Sequence, residues 1–278
     1  MEGYIWLNDS LIEAEKGRIS PFDRGFLYGD GLFETLRVEG GQPMLLERHL
    51  RRLYDSAKII GLERVPEQSW WRRAIAEVIG ANEWVNSRVR ITLSRGLGSG
   101  DEPTRMIHGR PLLQSEYLPE PIDVVVSSFL RERSPFSLRL KTLNYLAEIL
   151  AFERAQTAGA SEALFLTEDG YVAEGSVSNI FCVHSGRLWT PPVSLGILPG
   201  IFRQLILEIC SEESIPIIED RFPLQTLKEA SEVFATNSVR QIIPIKSIGG
   251  DAIQGEVPGK WTRELRELLQ NYVVEEER

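Results

Sequence analysis

Residues 137–160 run "SLRLKTLNYLAEILAFERAQTAGA". Leu143, Leu146, Ile149, Leu150 and Phe152 recur at helical spacing, so an amphipathic helix burying that apolar side is expected after Thr142. Just ahead of it, "SLRLK" alternates like the end of a strand. Lys141 therefore falls at a strand-to-helix junction between apolar neighbours. Two readings are open there. The lysine could snorkel to water from a helix start. Alternatively, desolvation weakens its preference for the charged form and makes it an amine nucleophile, as carbonyl chemistry requires.

Working outward, the N-terminal part alternates short strands with turns: "YIWLND", "SLIEA" and "GLFETLRVEGGQPMLL", in which "EGGQP" has hairpin chemistry. Helices are expected over "LLERHLRRLYDSAKIIG", closed by Gly61, and around "EQSWWRRAIAEVIGANE". The strand "SRVRITLSRG" then leads into a loop. Two prolines in "SEYLPEPIDVVVSS" place a linker at 117–122, between an N-terminal α/β domain (1–116) and a larger C-terminal domain (123–278). Beyond Lys141 come strands with the turns "EDG" and "HSG", a helix opened by "LPG", the strand "EVFATN" and a closing helix. Clustered strands with separate helices make this an α+β chain of two domains.

The 278 residues carry a formal charge of −9 and are 42% hydrophobic, enough for a substantial core. That charge, with no stripe of Lys and Arg, argues against nucleic acid. Cys182 and Cys210 are expected as reduced, buried thiols in a cytoplasmic protein. The three histidines lack metal-ligand spacing, so no metal is expected. The N-terminus has no apolar signal core and no segment approaches a membrane span, so neither export nor membrane insertion is expected.

Several further residues could carry chemistry. Glu174, in "YVAEGSVSNIF", could hold the charge of a protonated ring nitrogen, or be a turn residue facing water. Arg52, in "ERHLRRL", offers a planar fork for phosphate, unless His49, Arg51 and Arg52 form a solvated basic face. The helix start in "LPGIFRQ" presents backbone N–H groups suited to an anion. Asn237 and Ser238 end an apolar strand, as ligand groups or as turn formers. Together these supply an amine, an acid for a ring nitrogen, and an arginine and helix end for phosphate. That is the equipment for pyridoxal 5'-phosphate.

The wording and order of seven segments resemble the class IV aminotransferases, the fold-type IV pyridoxal phosphate enzymes: "SPFDRGFLYGDGLFETLRV", "ERHLRRLYDSAKI", "LKTLNYLAEILAFERA", "GYVAEGSVSNIF", "LWTPP", "LPGIFR" and "ATNSVRQIIPI". The family includes branched-chain and D-amino acid aminotransferases and aminodeoxychorismate lyase. The resemblance implies a homodimer of two-domain α+β subunits with the cofactor between the domains. It makes Lys141 the Schiff-base lysine and proton shuttle, Glu174 the partner of the pyridine nitrogen and Arg52 the phosphate arginine. Leu198 would pack on the ring, Tyr145 would lie near the phenolic oxygen, and Ile201, Phe202 and Ser238 would complete the phosphate cup beside Asn237. On the substrate side Phe33 and Thr35 are expected, and in a D-amino acid enzyme without the family's Arg-x-His the carboxylate would be met by Arg37, Arg90 or Arg95.

Two departures stand out. Phe202 occupies a position where the family often has Thr, so a hydroxyl to phosphate is lost. The loop "SRGLGSGDEPTRM" lacks the Arg-x-His of typical D-amino acid aminotransferases and carries Asp101 and Glu102 instead. "GLFETLR" and "TNSVR" look more like the lyase branch. The expected activity is amino transfer between an amino acid, D-amino acids included, and a 2-keto acid; the alternative is release of pyruvate from aminodeoxychorismate in folate synthesis.

Overall fold

A computed structural model describes residues 3–117, 119–131 and 140–276. They divide between two compact units, one within Met1–Leu113 and Leu140–Asn144, the other within Gln114–Arg139 and Tyr145–Arg278. The division falls after Leu113, ahead of the expected 117–122 linker, and five residues around Lys141 return to the first unit. Leu118 of that linker, and the strand end expected over 137–139, lie outside the described residues.

In the first unit, β1 (Tyr4–Leu7) and β2 (Ser10–Glu13) pair as a hairpin, followed by the short helix α1 (Arg24–Tyr28). Then come β3 (Gly31–Glu39), β4 (Gln42–Pro43), α2 (Leu46–Ile59), α3 (Gln68–Ala81), β5 (Ser87–Ser94) and β6 (Thr104–Pro111). The six strands form an antiparallel sheet in the order β2-β1-β6-β5-β3-β4. Gly40 and Gly41 turn β3 into β4 with φ of 57° and 78°, which costs a glycine no Cβ clash. Along α2, Leu46, Leu50, Leu53 and Ala57 are buried at i, i+4, i+7 and i+11, one apolar stripe. It packs in one core with α3 and with Leu36, Val38, Val89 and Ile91 of the sheet. Strand alternation turns Phe33, Thr35 and Arg37 to the opposite face.

The edge of β3 receives residues 140–144. The Phe33 N–H donates to the Lys141 carbonyl (2.9 Å) and the Leu143 N–H to the Gly31 carbonyl (3.0 Å), with Leu32 opposite Thr142. Asn144 Nδ2 donates to the Gly29 carbonyl (3.1 Å). The approach is tight: a Cβ on Gly31 would stand 2.6 Å from the Leu93 carbonyl oxygen and 2.8 Å from Leu143 Cδ1.

The second unit opens with α4 (Gln114–Tyr117), β7 (Ile122–Arg131), α5 (Leu146–Thr157), β8 (Glu162–Thr167) and β9 (Val172–Gly175). It continues through β10 (Asn179–His184), β11 (Arg187–Thr190), α6 (Ile201–Glu212), β12 (Ile217–Glu219) and α7 (Leu224–Lys228). The last elements are β13 (Glu232–Asn237), β14 (Gln241–Ile248), β15 (Asp251–Ala252) and α8 (Lys260–Glu276). The strand order is β12-β11-β10-β13-β14-β7-β8-β9, with β15 on β14. β7 and β8 are parallel, which demands a crossover rather than a hairpin. That crossover carries the chain through residues 140–144 and α5.

Helix α5 forms as expected but turns a different side inward. Ala151 and Ala155 are its buried residues, while Leu146 is 68% and Ile149 47% exposed. Small side chains let the helix lie close on β7 and β8, and the larger apolar ones are left outside.

Gly31→Ala is expected to destabilise the protein by about 1–3 kcal/mol, because backbone on one side and Leu143 on the other oppose the added methyl. Urea unfolding checks this. A change under about 0.5 kcal/mol would show that the edge of β3 yields freely.

Candidate active site

In the first unit, alternation along β3 puts Glu34 between Leu32 and Leu36 on the face that meets α2. A carboxylate there is costly unless it is paired. α2 supplies the partners, since His49 and Arg52 lie three residues apart on neighbouring turns. Arg52 donates to Glu34 through Nε (2.8 Å) and Nη2 (2.7 Å), and His49 Nδ1 lies 2.7 Å from the same carboxylate. Glu34 and His49 are 1% exposed and Arg52 12%. Burial alone would raise the Glu34 pKa, but Arg52 and His49 outweigh it and hold the group down at about 2. Burial pushes His49 down; Glu34 opposes that, and Arg52 and Lys141 add to it. The solvated-face reading of this helix therefore fails at His49 and Arg52, although Arg51 is exposed.

On the opposite face, the Lys141 ammonium stands 4.4 Å from the centre of the Phe33 ring. The Arg90 guanidinium lies on the same ring, 3.6 Å from its centre. Register sets Thr35 beside Arg90 and Arg90 beside His108, with Arg37, Arg88 and Arg110 as the next row. Burial, then Arg90 and Arg88, push His108 below its ordinary pKa. Arg37 is buried, with Nε 2.5 Å from Glu39 Oε1. Arg95 is not on this face. It bonds to Asp30 (2.8 Å) and to the carbonyls of Ile60 and Gly61 (2.8 Å each), tying the end of β5 to the end of α2. Of the three arginines expected for a substrate carboxylate, Arg37 and Arg90 are the two on the Phe33 face. Glu102, in the acidic loop, pairs with Arg64 at 2.9 Å.

In the second unit, Glu174 is a buried strand residue of β9 and not a turn residue. Its Oε1 lies 3.0 Å from Arg131 Nη2, and its Oε2 accepts the Leu198 N–H at 3.0 Å. Arg131 also reaches Glu148 (2.6 Å). Asn179 Nδ2 donates to the Leu198 carbonyl (2.9 Å), so the segment leading into α6 is held from both sides. No side chain caps α6 at Gly200. The N–H groups of Ile201 and Phe202 are the first of that helix and have no acceptor within it. Phe202 itself is buried in the core, so the backbone is all it can offer.

The Tyr145 hydroxyl donates to the Ser176 carbonyl (2.9 Å), and burial, then Glu174 and Glu148, keep it protonated well above its ordinary pKa. Ser176 and Ser178 both donate to the buried Glu162, which burial pushes above the usual carboxylate range. Asn237 is a turn former: its Oδ1 accepts the N–H groups of Val239 (3.0 Å) and Arg240 (2.8 Å), shaping the loop that carries the half-buried Ser238.

The pattern of the family described as amino-transferase class IV matches residues 31–248. The chain belongs to the class IV aminotransferases. It is 34% identical to aminodeoxychorismate lyase of Bacillus subtilis, over 88% of this chain and 86% of that one. To D-alanine aminotransferase of Bacillus licheniformis it is 29% identical over 98% of each. The branched-chain aminotransferase of the archaeon Thermoproteus uzoniensis, solved with norvaline, superposes with a TM-score of 0.89 at 28% identity, covering 100% of this chain and 97% of that one.

Class IV aminotransferases use pyridoxal 5'-phosphate, and a further branched-chain enzyme that superposes on this chain was solved with pyridoxamine 5'-phosphate. The groups that each unit offers fit the cofactor's chemistry: in the first, an amine on Lys141 and a guanidinium held in plane at Arg52; in the second, a buried carboxylate at Glu174 and an uncapped helix start at Gly200. Among the described residues, no cluster of His, Cys, Asp and Glu is arranged to hold a metal, and no helix is long and apolar enough to cross a membrane. Both cysteines are free and buried. Glu34 and Arg131 escaped the sequence reading. For Glu34 a signal existed, an acid alternating with Leu32, Leu36 and Val38 on a core-facing side. Arg131 ends a strand in "FLRER" and carries none.

The Glu34 pKa falls from 4.5 to about 2 on folding. Its contribution to stability is therefore complete above pH 4.5 and lost as pH drops towards 2; the lowered His49 acts in the same direction, from its ordinary 6.5 downwards. Glu34→Gln should be less stable than wild type at pH 7, with the gap narrowing by on the order of 2–3 kcal/mol between pH 5 and pH 2. Urea unfolding across that range measures it. A gap that does not change with pH would mean that Glu34 is not held ionised.

Proposed function

We propose that this class IV aminotransferase binds pyridoxal 5'-phosphate and moves an amino group between an amino acid, D-amino acids included, and a 2-keto acid. The observation that carries the reading is the shared Phe33 ring. The Lys141 amine and a guanidinium suited to a substrate carboxylate both lie within 4.4 Å of the centre of that ring. When bound, the cofactor supplies an electron sink for the bond broken at the substrate α-carbon.

Lys141 Nζ anchors the cofactor and then moves the proton from Cα. Glu174 would pair with a protonated ring nitrogen, and Arg131, 3.0 Å from its Oε1, holds the carboxylate in place. Arg52, the first N–H groups of α6 and the Ser238 hydroxyl take the phosphate. Leu198 would pack on the ring, and Tyr145 would lie near the phenolic oxygen. Phe33 and Thr35 form the substrate floor and Arg90 meets the carboxylate, with Arg37 in the next row of the same face. We further propose a cytoplasmic homodimer. The exposed Phe22, Phe26 and Tyr28 support burial by a second copy, because Asp23 holds their segment rigid through Ser94 (2.8 Å) and Thr104 (2.5 Å).

A second reading, aminodeoxychorismate lyase, is favoured by the 34% identity to the Bacillus subtilis enzyme. The two share Cα deprotonation by Lys141 and part afterwards. In a transaminase the amino group would pass, by way of the cofactor, to a second 2-keto acid and leave the first carbon skeleton as a keto acid, whereas in the lyase pyruvate would depart and 4-aminobenzoate would remain. Separate incubations with D-alanine, L-leucine and aminodeoxychorismate distinguish them. Keto acid from either amino acid supports transamination; 4-aminobenzoate and pyruvate from the third support the lyase alone. With the substrate so found, Arg90→Ala is expected to lower kcat/KM by about 10- to 100-fold and Arg95→Ala to leave it within about twofold. The reverse order would overturn the assignment of the carboxylate to Arg90.

A further inference from the structure

Glu34 touches neither substrate nor cofactor in the reading above, yet it is buried with an arginine to which that reading gives a direct role. Arginine is long and rich in rotamers, and a guanidinium that must be ordered as phosphate arrives binds it less tightly than one already fixed. Glu34 fixes it. Its two oxygens take the Nε and Nη2 edge of Arg52 at 2.8 and 2.7 Å, which sets both the plane and the rotation of the group. His49 Nδ1, at 2.7 Å from the carboxylate, donates to it and holds it in turn. Glu34 and His49 are each only 1% exposed, and their neighbours along β3 and α2, Leu32, Leu36, Leu50 and Leu53, are buried in one core.

We infer that Glu34 is a positioning residue for phosphate: through Arg52 it sets the affinity of the protein for the phosphate arm of the cofactor, as distinct from its ring. The inference rests on the proposed role of Arg52. A purely structural Glu34, present only to neutralise a buried arginine, would affect folding and every ligand alike. A positioning Glu34 affects only ligands that carry the phosphate.

The test compares pyridoxal 5'-phosphate with pyridoxal, which shares the ring and the aldehyde and lacks the phosphate. Dissociation constants for both are measured on the full-length, cofactor-free wild type, Glu34→Gln, Glu34→Asp and Arg52→Ala, with a melting temperature for each. The readout is the ratio of the pyridoxal constant to the pyridoxal phosphate constant. Arg52→Ala should collapse this ratio. Glu34→Gln should lower it about tenfold, as expected for losing one charged hydrogen bond on the phosphate path, with pyridoxal affinity within about twofold of wild type. Glu34→Asp keeps the charge but withdraws it by one methylene. It should lower the ratio less, and it decides the matter if the Gln variant does not fold. A collapsed ratio in Arg52→Ala with an unchanged ratio in the Glu34 variants would overturn the inference and leave the role of Arg52 standing. Equal losses for both ligands would overturn it in favour of a structural role. An unchanged ratio in Arg52→Ala would instead show that Arg52 does not hold the phosphate, and both readings would fall.

Discussion

Two backbone hydrogen bonds hold Lys141 where it is, Phe33 N–H to the Lys141 carbonyl and Leu143 N–H to the Gly31 carbonyl. The parallel pairing of β7 with β8 obliges the chain to cross over between them, and the crossover is long enough to lay five residues on the edge of β3. The absence of a side chain at Gly31 makes room for Leu143, and Asn144 closes the contact on Gly29. Because Phe33 both donates one of these bonds and turns its ring to the sheet face, the lysine amine and the Arg90 guanidinium both come to lie against one aromatic ring. Loss of the edge contact would leave a lysine with no fixed relation to the Phe33 ring.

Each unit also buries a carboxylate with an arginine and a third polar group: Glu34 with Arg52 and His49, Glu174 with Arg131 and the Leu198 N–H. Such pairs add little net stability, since desolvation consumes most of the Coulomb gain, but removing one partner strands a charge. Their effect is to hold direction. Arg52 is presented in a fixed plane, and Glu174 is held against both a strand end and the segment that leads into α6. Rigidity at these points is what electrostatic catalysis and phosphate binding require.

Much of this was legible in the chain. The stripe Leu46, Leu50, Leu53 and Ala57 announces α2, and "EGGQP" the turn from β3 to β4. Seven ordered segments carry the family. What stayed hidden has a common cause, which is that local pattern does not reveal what lies across from it. The spacing of Leu146 and Ile149 is helical, yet the buried side belongs to Ala151 and Ala155, because the sheet beneath admits only small residues at close approach. Arg95 sits one residue beyond β5 and bonds to Asp30, 65 positions away in sequence. Glu174 resembles a turn acid until Arg131, from a distant strand, is set beside it. Strand parity, by contrast, was available to place Glu34 with Leu32 and Leu36, and its partners at 49 and 52 flank the stripe of the next helix.

The claim on which the account turns is that Lys141, among all the lysines of the chain, is the amine that takes the cofactor. Protein equilibrated with pyridoxal 5'-phosphate, reduced with borohydride and digested, allows the phosphopyridoxyl mass to be located by peptide mapping. The account predicts a single stoichiometric modification on Lys141, absent when that residue is replaced by Ala. Stoichiometric labelling at another lysine, or labelling spread evenly over several with Lys141 unmodified, would contradict it.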